Sequence, residues 1–351
     1  MDFTYTARPG RVLFGRGRLS SLGEELERLG IENAMIVSTA DQSELAGDVA
    51  ATIGRRAGIV YPGAAQHTPT SVTESALQAY RSVSADGIVA IGGGSTIGLS
   101  KAVALRNGAD QIVVPTTFAG SEMTAILGQT EAGKKTTMVD DAVLPETVIY
   151  DPELLFTLPL HIAGPSAMNA IAHAMESLYA EQANPVISMM AEESIRALGA
   201  AVPVFMGQGG DVEEAFERGL YGAWLAGTCL GAVGMAIHHK LCHTLGGTFD
   251  LNHADIHCLM LPYSAAYNRQ AAPGAMDAIA RALGGEDGPS ALYDLMLTAA
   301  RHQSLQAFGL TEDDLDRAAD LAVQNPYYNP RPVTREGVRE LLQAAWEGRR
   351  P

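Results

Sequence analysis

The sequence is poor in cysteine: three in 351 residues, Cys229, Cys242 and Cys258, with no CxxC spacing. An odd, scattered set excludes a disulfide framework and a thiolate zinc ribbon, and it points to a reducing, cytoplasmic setting. Positive charge is also short. Lys and Arg number 24 against 40 Asp and Glu, a net charge of −16. Phosphate would be repelled by such a surface, so nucleic acid is excluded as a partner. The run Gly222 to Ile237 is apolar but only sixteen residues long and glycine-rich, whereas spanning a bilayer takes about twenty apolar residues. It reads as a buried helix, and its Gly227-x-x-x-Gly231 carries no membrane meaning. No membrane association is expected. The first ten residues, MDFTYTARPG, have no apolar core, so no signal peptide is expected either. Internal repeats, low-complexity tracts and the GxGxxG fingerprint are absent. What remains is 47% hydrophobic and 18% charged, the balance of a globular protein long enough for two cores.

The two halves follow different patterns. Up to about residue 155, β-branched runs alternate with helical periods. Strands are expected at Ala34–Ser38, Gly58–Tyr61, Gly87–Ile91, Gln111–Pro115 and Thr147–Tyr150, with helices near 18–29, 41–56, 71–83 and 96–106. That alternation implies βαβ units and a parallel, Rossmann-like sheet covered on both faces. After Pro152, Pro159 and Pro165, helical periods take over at roughly 166–182, 186–202, 211–243, 254–282, 290–304 and 311–323. The expectation is an α/β nucleotide-binding domain over 1–155, an all-helical domain over 156–351, and an active site in the cleft between them.

In the first half, Ile88-Val89-Ala90-Ile91 runs straight into Gly92-Gly93-Gly94-Ser95-Thr96 and then a helix. A glycine-rich turn between strand and helix lets backbone amides approach a pyrophosphate, and the helix start adds positive potential. A tight turn alone would not need three glycines followed by Ser and Thr. The next strand leads into a second polar loop, Pro115-Thr116-Thr117-Phe118-Ala119-Gly120-Ser121-Glu122. Both loops belong to the carboxyl edge of a parallel sheet, where ligands bind.

In the second half, five of the nine histidines fall within twenty residues: His238, His239, His243, His253 and His257. His239 and His243 share one face of a helix, the Gly246-Gly247 pair is expected to break it, and the following loop can return His253 to the same face. A lone buried histidine is usually structural, but this density suits metal ligation or proton transfer. His238 and His257 are expected to face outward or to lie behind the others.

These residues resemble the iron-containing alcohol dehydrogenase superfamily. The resemblance rests on GGGS at 92–95, PTTxxxSE at 115–122, NAIAH at 169–173, and HxxxH at 239–243 with a further His at 253. Within it, the chain is similar to the maleylacetate reductase family over nearly its whole length. Here the matching stretches include GGGSTIGLSKAVAL, VPTTFAGSEMT, KTT at 135–137, LPETVIYD at 144–151, ANPVISMMAEE, LYGAWLAGTCLGAVGMAIHHKLCHTLGGTFDLNHA and NPYYNPRP at 325–332.

The resemblance implies a dehydroquinate-synthase-like fold, a nicotinamide cofactor and a homodimer. It implies cofactor contacts at Gly92, Gly93, Gly94, Ser95, Thr96, Thr116 and Thr117. Thr39, where an acidic residue would select NADH, is neutral, so NADH and NADPH are both expected to serve. The superfamily's metal is held by one aspartate and three histidines, which here fall on Asn169, His173, His239 and His253. A neutral amide oxygen is a poorer donor than a carboxylate. Maleylacetate reductases are similar in dispensing with metal, so a bound metal is not expected, although three imidazoles can hold Zn²⁺. The implied activity is reduction of the C=C bond of a small dicarboxylate, 4-oxohex-2-enedioate, to 3-oxoadipate. His243 is the expected proton donor, with His173, His239 and His253 shaping the pocket. Lys240, Lys134 and Arg331 are candidate partners for the carboxylates, and Tyr327 and Tyr328 candidate lining residues. Other readings are a metal-dependent alcohol dehydrogenase or aldehyde reductase, a lyase of the dehydroquinate synthase type, and a ligand sensor.

Overall fold

A computed structural model describes residues 3–6 and 10–351 of the chain. The chain divides into two compact units that meet in sequence at Leu158 and Pro159, and residues 3–6 group with the second.

The first unit carries strands β1 (Arg11–Phe14), β2 (Ala34–Val37), β3 (Ala57–Tyr61), β4 (Gly87–Gly92), β5 (Asp110–Pro115), β6 (Ile126–Glu131), β7 (Lys134–Val139) and β8 (Thr147–Tyr150). Its helices are α1 (Leu22–Leu29), α2 (Ser43–Ile53), α3 (Thr70–Ser82) and α4 (Gly94–Asn107). Six strands form one sheet in the order β1-β8-β5-β4-β2-β3, every neighbouring pair parallel. Strand side chains alternate between faces. In β2, Ile36 packs with Leu22, Leu26 and Val49 of α1 and α2, while Met35 and Val37 pack with Leu77, Leu99 and Val103 of α3 and α4. Helices on both faces explain why β2 and β4 are apolar at nearly every position and buried throughout. The β6–β7 hairpin stands apart as a two-stranded antiparallel sheet.

The second unit is helical among its described residues: α5 (Leu160–Ser177), α6 (Pro185–Phe205), α7 (Val212–Ala232), α8 (Ile237–Phe249), α9 (His253–Asn268), α10 (Pro273–Leu283), α11 (Gly288–Ala299), α12 (Glu312–Ala322) and α13 (Arg335–Glu347). The α/β-plus-helical class expected from the sequence is the one observed. The apolar run at 222–237 is a packing helix. A Cβ on Gly222 of α7 would lie 2.7 Å from Leu198 Cγ and 3.1 Å from the Ser194 carbonyl of α6, so only glycine permits this approach. No single helix among the described residues is long and apolar enough to cross a membrane.

Two expectations fail locally. The helix expected over 211–243 is two helices bent by 97°, and the one over 254–282 is divided between α9 and α10. Conversely, Gly246-Gly247 does not end α8, which runs to Phe249 and stops at Asp250 in the left-handed conformation (φ 53°).

Candidate active site

The first unit presents the glycine loop. Gly92 closes β4 with φ 151°, and a Cβ there would collide with Thr96 Oγ1 and Gln42 Oε1. Gly93 caps α4, and a Cβ on it would lie 2.9 Å from the side chain of Thr117. The loop is therefore shaped so that backbone is its outermost surface. The opening amides of α4 belong to Gly94 and Ser95, a position that leaves N–H groups without intrahelical acceptors. Behind them, Thr96 Oγ1 is buried without a hydrogen-bond partner. Thr116 N–H donates to the Gly92 carbonyl at 3.2 Å, which ties the second loop to the first. The Thr116 hydroxyl accepts from Gln42 Nε2 at 2.8 Å. Thr39 stands three residues before Gln42, half-buried at the start of a short 3-10 turn.

Two residues of this region escaped the sequence reading. Lys101, fully buried on α4, donates to the carbonyls of Ser121 (2.6 Å), Thr124 (2.6 Å) and Ile126 (3.0 Å), holding the end of the second loop against the helix. Glu122 is also buried, accepts the Tyr150 hydroxyl at 2.8 Å, and is pushed above the usual carboxylate range by burial. The signal was present: a lysine in the otherwise apolar GLSKAVAL.

The second unit gathers six imidazoles. His239 stacks on His173 with ring centroids 4.9 Å apart, and His257 lies 4.9 Å from His239 and 4.2 Å from His253. His253 stacks on His243 at 6.0 Å, and His238 is 4.9 Å from His257. His173, His238, His239 and His257 are buried, while His243 and His253 are exposed. Of the two alternatives for His238 and His257, facing outward is excluded, since both are completely enclosed, and they lie behind the exposed His243 and His253. Sequence reasoning treated HxxxH as one face and missed that α9 returns His257, four residues after His253, against the buried side of α8.

The bend before α8 is set by Glu176. Asn169, His173 and Glu176 recur at helical spacing along one face of α5. Ala236, the residue before α8, offers no side-chain cap. In its place Glu176 Oε1 accepts the His238 N–H at 2.6 Å, and Oε2 accepts the Ala236 N–H at 2.8 Å and faces His239 Nδ1 at 2.7 Å. Burial raises Glu176 to about 7, and burial, then the nearby His253, lowers His239 to about 3. With both oxygens already accepting backbone N–H groups, the ionised Glu176 carboxylate takes the Nδ1–H of a neutral His239, which leaves Nε2 a bare lone pair. Burial likewise holds His173, His238 and His257 well below the usual histidine range.

The polar atoms left over indicate what the cluster can hold. Asn169 Oδ1, His173 Nδ1, His239 Nε2 and His257 Nε2 are all buried without a hydrogen-bond partner. Asn169 Oδ1 is an acceptor, His239 Nε2 is another while its Nδ1–H serves Glu176, and buried acceptors without donors are rare. The positions aligned with the superfamily's ligands therefore fit a divalent cation, with neutral donors throughout. The expectation that metal is absent finds no support in this geometry. A second group, His238, Cys242 and His257, brings three ligand atoms within 4.8 Å of one another. Those donors are already engaged: His238 Nε2 meets His257 Nδ1 at 3.0 Å, and burial holds the Cys242 thiol protonated.

Lys240 and Arg331, two of the candidate carboxylate partners, are engaged elsewhere. Lys240 donates to the Gln324 carbonyl at 2.7 Å, Arg331 lies 4.0 Å over the Tyr267 ring, and Lys134 is exposed on β7. Tyr327 does reach the cluster, its hydroxyl 3.4 Å from His243 Nδ1, whereas Tyr328 is exposed.

Comparison with known proteins follows the division of the chain. The family model described as iron-containing alcohol dehydrogenase matches residues 9–152, and that for the C-terminal part of the Fe-containing alcohol dehydrogenase family matches 164–346. The chain is 51% identical to a maleylacetate reductase of Rhizobium sp. (strain MTP-10005), covering 99% of each protein. It is 49% identical to maleylacetate reductase 1 of Rhodococcus opacus, covering all of this chain and 98% of that one. The crystal structure of maleylacetate reductase from Agrobacterium tumefaciens superposes with a TM-score of 0.96 at 50% identity, covering both chains fully.

Proposed function

Because this chain belongs to the iron-containing alcohol dehydrogenase family, alongside the maleylacetate reductases, and is an oxidoreductase, we propose that it reduces the C=C bond of maleylacetate to 3-oxoadipate with NADH or NADPH. The observation that carries this reading is the composition of the imidazole cluster. Asn169 supplies a neutral oxygen where the superfamily's aspartate would stand, so the site asks little of a Lewis acid. A conjugated enone needs less electrophilic help than a plain carbonyl.

In this reading the glycine loop holds the dinucleotide's pyrophosphate at the start of α4. Thr39 leaves room and neutral charge for either ribose or ribose phosphate. When bound, the reduced nicotinamide would supply the hydride that adds to the alkene carbon β to the ketone, with electrons moving onto the ketone oxygen. His243, exposed and held by Tyr327, delivers the proton to the adjacent carbon, so that one hydride and one proton are added across the former double bond. His173, His239 and His253 line the pocket, and His173 and His253 can offer hydrogen bonds to the enolate oxygen. A divalent ion, where bound, would be held by Asn169, His173, His239 and His253 and would polarise the ketone oxygen. A homodimer acting on a small dicarboxylate completes the proposal, and light scattering reads its assembly.

The test compares substrates at one NADH concentration. Maleylacetate is expected to turn over with 3-oxoadipate as product, and simple primary alcohols with NAD⁺ to be poor. Faster turnover of alcohols or simple aldehydes would transfer the reading to a metal-dependent alcohol dehydrogenase.

A further inference from the structure

The buried pair His238 and His257 has no part in the reaction as described, yet the hydrogen bonds around it fix a direction. Ser264 has one hydroxyl proton, and its oxygen lies 3.0 Å from the carbonyl of Met260, one turn earlier on α9. Ser and Thr hydroxyls on helices commonly donate back to that carbonyl. The Ser264 oxygen is then an acceptor for His238 Nδ1, 3.2 Å away. With its proton on Nδ1, neutral His238 has a bare Nε2. The Cys242 sulfur lies 3.6 Å from His238 Nε2 and 3.8 Å from the Ile256 carbonyl, a weak partner to either, and the shorter contact of His238 Nε2 is with His257 Nδ1 at 3.0 Å, from which it accepts. A neutral imidazole carries one N–H. His257 Nε2 is therefore a lone pair, and it is buried without a partner.

The chain has a closed end and an open one. Ser264, His238 and His257 are all completely buried. At the closed end the hydroxyl proton goes into the helix backbone, so nothing can be conducted out. At the open end His257 stands against His253 and His239, 4.2 Å and 4.9 Å between ring centroids. His239 Nε2 and Asn169 Oδ1 are unpartnered acceptors of the same cluster. Leaving several buried acceptors empty costs about 1–3 kcal/mol each, so the site is built for an occupant that accepts electron pairs.

We propose that His257 is a ligand-contacting member of the active site, and that the Ser264–His238–His257 chain holds it in the Nδ1–H tautomer so that Nε2 takes a cation or an O–H donor. His238 and Ser264 are positioning residues. This rests on the proposed location of the active site, but not on maleylacetate being the substrate.

The test reads the tautomer directly, in the full-length protein labelled with ¹⁵N-histidine, with His257 assigned by comparison with His257→Gln. Long-range ¹H–¹⁵N spectra are expected to show His257 protonated on Nδ1. The Nε2 resonance is expected to move on addition of Zn²⁺, which identifies a cation as occupant, or on addition of 3-oxoadipate with NAD⁺, which identifies a donor brought by the ligand. His238→Gln, whose amide oxygen can still accept from Nδ1–H, is expected to keep the tautomer. His238→Ala is expected to lose it while retaining NADH binding. Three results would overturn the inference: a proton on Nε2, a resonance unmoved by both additions, or an unchanged tautomer in a folded His238→Ala. A protein that ignores maleylacetate yet shows the tautomer and its shift would refute the proposed substrate alone.

Discussion

At the scale of single residues, two side chains in different environments are open to direct test. His243 is exposed and touches Tyr327, so its replacement leaves the buried core of the cluster in place. His243→Ala is expected to bind NADH as the wild type does, measured by fluorescence titration. Its turnover should fall by about a hundredfold or more, the usual size of a lost proton donor. Thr39 governs the other choice. The wild type is expected to use NADPH within about tenfold of NADH, a difference of about 1.4 kcal/mol. Thr39→Asp should move the ratio of kcat/KM values toward NADH, because a carboxylate beside a 2′-phosphate is repulsive. A wild-type preference above about a hundredfold would mean that another residue discriminates.

At the scale of elements, Lys101 is the test of what holds the polar loop after β5 against α4. Its ammonium serves backbone acceptors on the stretch Ser121–Ile126. Lys101→Met would leave those carbonyls buried and unpaired, so it is expected to cost on the order of 3 kcal/mol in a denaturant titration. NADH affinity should weaken with it. Elements of this unit were legible where burial on both faces made the pattern plain, as in β2, β4 and β5. β1 was missed because Arg11-Val12-Leu13-Phe14 is a short edge strand of mixed character, and the β6–β7 hairpin because ILGQTE and KKTTMV are polar on both faces. The division of α7 from α8 was invisible for another reason. Apolar residues continue through Val233–Ala236, and the carboxylate that receives the first amides of α8 comes from Glu176, sixty residues earlier. The same distance in sequence concealed His257. Its role follows from how α9 packs on α8, whereas the spacing of His239, His243 and His253 was readable along the chain.

At the scale of the whole molecule, burying four neutral imidazoles sets the acid limit of the fold. His173, His238, His239 and His257 all titrate lower in the folded chain than the ordinary value near 6.5. Their stabilising contribution is full above that value and is lost as pH falls below it, because only the unfolded chain then takes up protons. Glu176 acts oppositely: raised to about 7, it keeps a proton that the unfolded chain releases above about 4.5. Between about pH 5 and 6 these imidazoles therefore draw protons onto the unfolded chain, and Glu176 offsets part of that uptake. Calorimetry over this range should show a steep drop in Tm, and one fewer proton in His257→Gln. A flat profile would mean that these imidazoles are protonated in the fold.

The most direct measurement of the reaction itself follows one atom. With maleylacetate and NADH carrying deuterium at the transferable C4 position, the label is expected in 3-oxoadipate on the carbon β to the ketone, with a solvent proton on the carbon between them. Label on a carbinol carbon, formed by hydride addition to the carbonyl, would contradict alkene reduction by this imidazole-lined site.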